Sequence, residues 1–296
     1  MLGRTNLGGS GGLVTVNGSP ITDAVNIEFD NETVDTISMS TLPHKSSGNV
    51  SVVYNNEIHI IGFGTDKYHY KWDGSSWTSV STAPYRTYSG ASAVVYNNEI
   101  HILGGTSYPT NHYKWNGSSW TSNVSTLPYN FYGGGAVVYN NEIHILGGSG
   151  NKTAHYKWNG SSWTSVSTLP YEFFYGYSLV YSDQIHILGG SGNKTAHYKW
   201  DGSSWTSAST LPYETSSGSS VIYNNEIHIL GGSRNKTAHY KWNGSSWTSV
   251  STLPYEFQTG YSVVCNNQIH ILGGTGNQTG HYIVTSSSYD KLYLPV

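Results

Sequence analysis

The chain has 296 residues, 36% of them hydrophobic and 10% charged, against about 25% charged in ordinary globular domains. Its net charge of −3 supplies no basic face for a nucleic acid. The one cysteine, Cys265, excludes an intramolecular disulfide, and no apolar run reaches the roughly 18 residues of a membrane span.

In chain order, the first segment is Met1-Leu-Gly-Arg-Thr-Asn-Leu-Gly-Gly-Ser-Gly-Gly, which lacks the apolar stretch of a signal peptide. Export by the ordinary secretory route is therefore not expected. Leu13-Val-Thr-Val16 and Val25-Asn-Ile-Glu-Phe29 read as a short strand or two behind a flexible lead. This opening resembles the starts of tail and fibre proteins of phages and prophages of Gram-positive bacteria. The closing Lys291-Leu-Tyr-Leu-Pro-Val296 has a similar character. The resemblance implies that residues 1–31 attach the chain to other virion proteins.

From about residue 40 onward a repeat dominates, and periodicity of this kind decides the fold. Ile-His-Ile recurs with its histidine at His59, His101, His144, His186, His228 and His270, at spacings of 42 or 43 residues. A Gly-Gly pair follows in five copies; the first reads Gly62-Phe63-Gly64. Tyr-Lys-Trp-(Asn/Asp)-Gly-Ser-Ser-Trp then appears five times and accounts for all ten tryptophans, while Tyr282 and Tyr289 hold two of its slots in the sixth copy.

Each copy reads as four short strands. Strand A, such as Ala136-Val-Val-Tyr139, turns at Asn-Asn, a pair that tolerates positive φ in a tight hairpin. Strand B is Glu-Ile-His-Ile-Leu, strand C is Ala-His-Tyr-Lys-Trp, and an Asn-Gly or Asp-Gly turn leads to strand D, Ser-Trp-Thr-Ser-Val. No apolar period of 3.6 residues persists, so helices are not expected. Four antiparallel strands per 42 residues describe a propeller blade.

A hydrophobic strand ending in Gly-Gly, followed by Tyr and Trp at fixed spacing, resembles the Kelch family over roughly residues 40–296. The expected fold is all-β: a six-bladed Kelch-type propeller over residues 32–296, behind a Gly-rich segment 1–31. Residues 34–40, which precede a Thr-Leu-Pro as D strands do, are the favoured closing strand of the last blade, as in the family's "Velcro" closure; Tyr289 to Leu294 is the alternative.

The repeated histidines, with His69, His112, His155, His197, His239 and His281 in a second slot, invite a metal reading. Symmetry spreads six copies around a ring, too far apart to share an ion. Pairing within each blade is the expectation, and no metal or cofactor is implied. Cys265 fills a slot held by tyrosine in the other five copies and reads as a buried substituent.

The copies differ most after Thr-Leu-Pro, where strand D passes to the next strand A, and in the B-to-C loops. The resemblance places both on the rim that Kelch propellers use for binding, and variation on one rim of a fixed scaffold is what recognition requires. The varying residues are rich in rings. Tyr85, Arg86, Tyr88, Phe131, Tyr132, Phe173, Phe174, Tyr175 and Phe257, with Arg234 of a B-to-C loop and the neighbouring Tyr177, are the candidate binding residues, read as an exposed aromatic patch. Ring faces suit sugar stacking, and the two arginines admit a carboxylated sugar or acidic peptide. A non-enzymatic, tail-associated binder of a cell-surface glycan or protein is the leading expectation. An intracellular Kelch interaction protein is a second. A sugar-acting enzyme using Glu172, Glu214, Glu256, Arg86 or Arg234 is a third.

Overall fold

The computed structural model describes residues 15–16, 19–20, 35–45, 49–62, 67–83, 90–250 and 252–285. The chain divides into two units, one of Met1–Thr33 with Ser286–Val296, the other Val34–Thr285. In the first, Thr15–Val16 pairs antiparallel with Ser19–Pro20. The second is a six-bladed β-propeller.

Each blade is a four-stranded antiparallel sheet, and in the first five the strands follow sequence order. Blade 3 is typical: strand A is Gly135–Tyr139, B is Glu142–Leu146, C is His155–Trp158 and D is Trp163–Ser165. The A-to-B hairpins are tight because both turn residues accept the left-handed region, as Asn140 (φ 48°) and Asn141 (φ 59°) do. At the C-to-D turn Asn159 Oδ1 accepts from the N–H groups of Ser161 (2.9 Å) and Ser162 (3.0 Å), an Asx turn repeated in every copy described. In blade 6 the fourth strand is Asp35–Ser38, paired antiparallel with His281–Thr285, so the two ends of the propeller's chain meet in one sheet.

The core is divided among the seams between blades. Strand B is the most buried element: its Ile, His, Ile and Leu (Ile61 in the first copy) all lie below the surface in every copy. Each seam also carries a layer of rings. His144 Nδ1 and His155 Nε2 lie 2.8 Å apart across strands B and C, and the other five blades repeat the pair at 2.7–2.9 Å. Such a contact needs a proton on one nitrogen and a lone pair on the other. At five of the six seams the strand C histidine then meets the tryptophan of the next blade edge-on, as His155 does Trp200 at 4.8 Å. The same contact joins blade 6 to blade 1, His281 to Trp72 at 4.9 Å, which closes the ring. The histidines are thus paired within their own blades. Burial holds His144 down to about 4 and His155 to about 3, so both are neutral at pH 7. Cys265 is buried, and burial raises its thiol pKa.

Candidate functional site: the mouth of the axial channel

The A strands of all six blades surround one cavity. Its shaft, about 230 Å³, is lined midway by Ser51, Ala93, Ala136, Ser178, Ser220 and Ser262. It opens at the D-to-A loops into a wider mouth of about 400 Å³, bordered by Gly90, Gly133, Tyr175, Ser217, Thr259 and Tyr261.

Two backbone devices build this mouth. The first is a latch under each loop. The second glycine of Gly-Gly donates its N–H to the D-to-A loop, as Gly148 does to Phe173 O (2.9 Å) and Gly105 to Phe131 O (2.9 Å). The loop lies so close that a Cβ on Gly104 would fall 1.9 Å from Phe131 O. Gly104 also has φ +62°, so two separate constraints select glycine there. A tyrosine hydroxyl completes the latch: Tyr129 donates to Gly147 O (2.6 Å) and Tyr171 to Gly189 O (2.9 Å).

The second device is a belt running from blade to blade. Gly133 N–H donates to Gly90 O (2.7 Å), Tyr175 N–H to Gly133 O (2.7 Å), Ser217 N–H to Tyr175 O (3.0 Å) and Thr259 N–H to Ser217 O (2.7 Å). All five residues sit in the left-handed region, with φ from 54° to 85°. Holding Tyr175, Ser217 and Thr259 there costs about 1 kcal/mol or more each, which the belt bonds offset. With these backbone groups engaged by one another, the chemistry left for a ligand lies in the side chains.

The latch and belt decide where each sequence-chosen residue goes. Phe131, Phe173 and Phe257 have 0% exposure and are excluded from any surface patch. Their N–H and C=O groups are clamped between the B-to-C loop and Gly-Gly, as in Phe173 N–H to Lys152 O (2.8 Å). The ring is left to drop into the seam, beside Leu146, Leu169 and Ile185 for Phe173. Burying such a ring stabilises by about 2–3 kcal/mol, which exposure would forfeit. Tyr177 is also buried; its hydroxyl bonds Thr215 Oγ1 and accepts from Gly218 N–H (3.1 Å), and burial pushes its pKa up to about 12.

Tyr132, Phe174 and Tyr175 do come together. They are half-buried beside the mouth. The Tyr132 and Phe174 rings meet edge-on at 5.6 Å, and Phe174 and Tyr175 lie 4.2 Å apart. Phe174 packs over Gly133, where a Cβ would come within 2.6 Å of its ring. Across the ring, the equivalent slots hold Ser216, Ser217, Gln258 and Thr259. Ser216 Oγ lies 3.0 Å from Ser233 Oγ, and Thr259 Oγ1 donates to Gln258 O (2.6 Å). The rim around the mouth therefore carries a ring cluster on blades 3 and 4 and hydroxyl and amide groups on blades 5 and 6, of which Tyr175, Ser217 and Thr259 line the cavity itself.

Arg234 is exposed and faces Glu214 (3.5 Å), which Lys194 also approaches (3.8 Å). Glu172 and Glu256 are likewise matched, by Lys152 (3.1 Å) and Lys236 (2.9 Å). The three glutamates thus repeat one exposed ion pair between neighbouring loops. Tyr85, Arg86 and Tyr88 lie outside the described residues. Among the described residues no cluster of His, Cys, Asp or Glu has the geometry to hold a metal ion.

Reading the sequence by type missed Ser216, Ser217, Gln258 and Thr259, because polar residues were set aside in favour of rings. The signal was present in the alignment of the copies. The Phe131 slot repeats Phe, Phe, Thr, Phe, whereas the next two slots read Tyr-Gly, Phe-Tyr, Ser-Ser and Gln-Thr.

No family model matches the sequence, and no curated protein sequence matches it. The solved structure of YjhT is similar in fold, with a TM-score of 0.73 and 16% identity over 84% of this chain and 95% of that one. In all, 389 chains of known structure match, so the likeness selects an architecture and no single activity. By its sheet order, its closed ring and this likeness, the chain is a six-bladed β-propeller.

Proposed function

We propose that the chain is a non-catalytic binding module that recognises a cell-surface glycan at the axial mouth, as part of a virion tail. The observation that carries this reading is the mouth itself: a cavity of about 400 Å³ whose bordering residues change from blade to blade on a scaffold that otherwise repeats. Its size falls in the range of small-ligand pockets. A flat ring cluster on one side and hydroxyls and an amide on the other match the two faces of a sugar, one apolar and one rich in hydroxyls. The pairing of Glu172, Glu214 and Glu256 with lysines of neighbouring loops supports binding over acid–base catalysis. The tail assignment and the Kelch assignment rest on the sequence resemblances of the opening segment and of the repeat.

The purified protein is expected to bind cell-wall or capsular polysaccharide of a Gram-positive host. Phe174→Ala should weaken that binding about tenfold, an ordinary loss for an aromatic anchor, and leave the melting temperature close to that of the parent. Undiminished binding by Phe174→Ala defeats the site; binding to protein receptors alone defeats the glycan reading.

A further inference from the structure

We infer that Tyr177, a strand A residue of blade 4, is a positioning residue for the mouth: its hydroxyl holds the blade 5 edge, Thr215 to Gly218, from beneath, and so fixes where Ser217 meets a ligand. This rests on the glycan-binding reading and adds to it a residue that acts through its neighbours.

The seam below that edge is built differently from its neighbours. Under the loops entering blades 3, 4 and 6 the plug is a buried phenylalanine of the loop itself, Phe131, Phe173 or Phe257. A Cβ on the following glycine, Gly134, Gly176 or Gly260, would strike that ring. Blade 5 has Thr215 in the slot, too short to fill it. The first strand A residue of the preceding blade is small at the three phenylalanine seams, Ser92, Gly135 and Ser219, and is Tyr177 here. The Tyr177 ring thus crosses from blade 4 and sets a hydroxyl where the other seams set a carbon edge, 2.6 Å from the place a Cβ on Gly218 would take.

One arrangement of protons satisfies this hydroxyl. Gly218 N–H donates to Tyr177 Oη (3.1 Å), and Thr215 Oγ1 donates to Gly231 O (3.3 Å). The Tyr177 O–H is then left to donate to Thr215 Oγ1, its other partner. Both side chains are buried, so a member left without its partner carries a desolvation cost. The chain of bonds ties Thr215 and Gly218 to one phenol. Between them Ser217 keeps its φ of 59° and both belt bonds, to Tyr175 O (3.0 Å) and from Thr259 N–H (2.7 Å). Ser217 and Gly218 line the mouth, so their placement bears directly on what the cavity holds.

The test compares the full chain with two variants. Tyr177→Phe keeps the ring and removes the hydroxyl. The swap Tyr177→Ser with Thr215→Phe rebuilds the serine and phenylalanine pairing found before blades 3 and 6. Affinity is titrated against purified host cell-wall polysaccharide, and amide hydrogen exchange is followed without it. Tyr177→Phe is expected to bind about five- to tenfold more weakly, the order of one lost hydrogen bond. It should also exchange faster at residues 216–218, with residues 132–134, two blades away, unchanged. The swap should recover the parent's melting temperature and still bind as weakly as Tyr177→Phe, a split that a space-filling role does not produce. Parent affinity in either variant, or unchanged exchange at 216–218 in Tyr177→Phe, overturns the inference and leaves the glycan-binding reading intact. Retention of no polysaccharide by the parent defeats that reading, and the exchange measurement then decides by itself whether Tyr177 holds the edge.

Discussion

The seams and the mouth of this propeller obey opposite rules. At the seams the blades repeat one solution: Ile-His-Ile on strand B and a histidine pair near 2.8 Å in all six, with a tryptophan edge-on from the next blade at five of the six seams. At the mouth each blade presents something different on the same backbone. Gly133, Tyr175, Ser217 and Thr259 share one left-handed conformation and one belt bond, and differ only in what they carry. A closed ring of blades demands equivalence where sheets wedge together, and it leaves the rim side chains free once the belt has fixed the rim backbone. Function is therefore expected where chemical identity varies while geometry does not.

The largest test of the seams is acid. Twelve histidines are buried, two per blade. The strand B members of the first five blades are held to about 4, and the strand C members throughout to about 3, with burial the main cause. Because the folded pKa lies below the unfolded value of about 6.5, the unfolded chain takes up protons that the folded chain refuses. Stability is full above pH 6.5 and falls as pH drops toward the folded values. Each histidine contributes up to about 1.4 kcal/mol per pH unit in that window, and a fraction of twelve exceeds a typical net stability of about 5–15 kcal/mol. Cooperative unfolding by near-ultraviolet circular dichroism is expected with a midpoint between about pH 5 and 6. A propeller still folded at pH 4 would contradict the neutral-pair description.

The sharpest contrast comes from two adjacent residues. Phe173 is wholly buried in a seam, and Phe174 is half-buried, packed over Gly133 of the mouth. Phe173→Ala should destabilise by about 3–5 kcal/mol through the cavity it leaves, seen as a lower denaturant midpoint, while the folded fraction keeps its affinity. Phe174→Ala should do the reverse. Equal effects on stability and binding from both would erase the distinction between seam and mouth.

The smallest effect is expected at Arg234. Its ion pair with Glu214 is exposed on both sides, and such pairs are worth about 0.2–1 kcal/mol. Arg234→Ala should shift stability by no more than that and leave glycan affinity unchanged. A large loss of binding would bring an arginine into the site and favour an acidic ligand.

The repeat carried the fold in plain view. Spaced histidines, Asn-Asn hairpins and Asn-Gly turns encode blade number, strand order and pairing partners locally. The site was only partly visible. Phe131, Phe173 and Phe257 read as exposed because they sit in a variable loop, yet their direction is set by a tertiary contact, the Gly-Gly latch, that no local pattern encodes. Their recurrence at one slot was the clue that they belong to the scaffold. Tyr132, Phe174 and Tyr175, singled out by the same ring content, cluster half-buried at the rim. The polar part of the rim was passed over because Ser216, Ser217 and Thr259 look like ordinary loop residues until the belt aligns them.

Amide hydrogen exchange with and without purified host-surface polysaccharide tests the central claim most directly. The account predicts new protection at residues 132–134, 174–176, 216–218 and 258–260, with the C-to-D turns such as 159–162 unchanged. Protection centred on those turns or on the outer D strands, with the mouth unaffected, would contradict it.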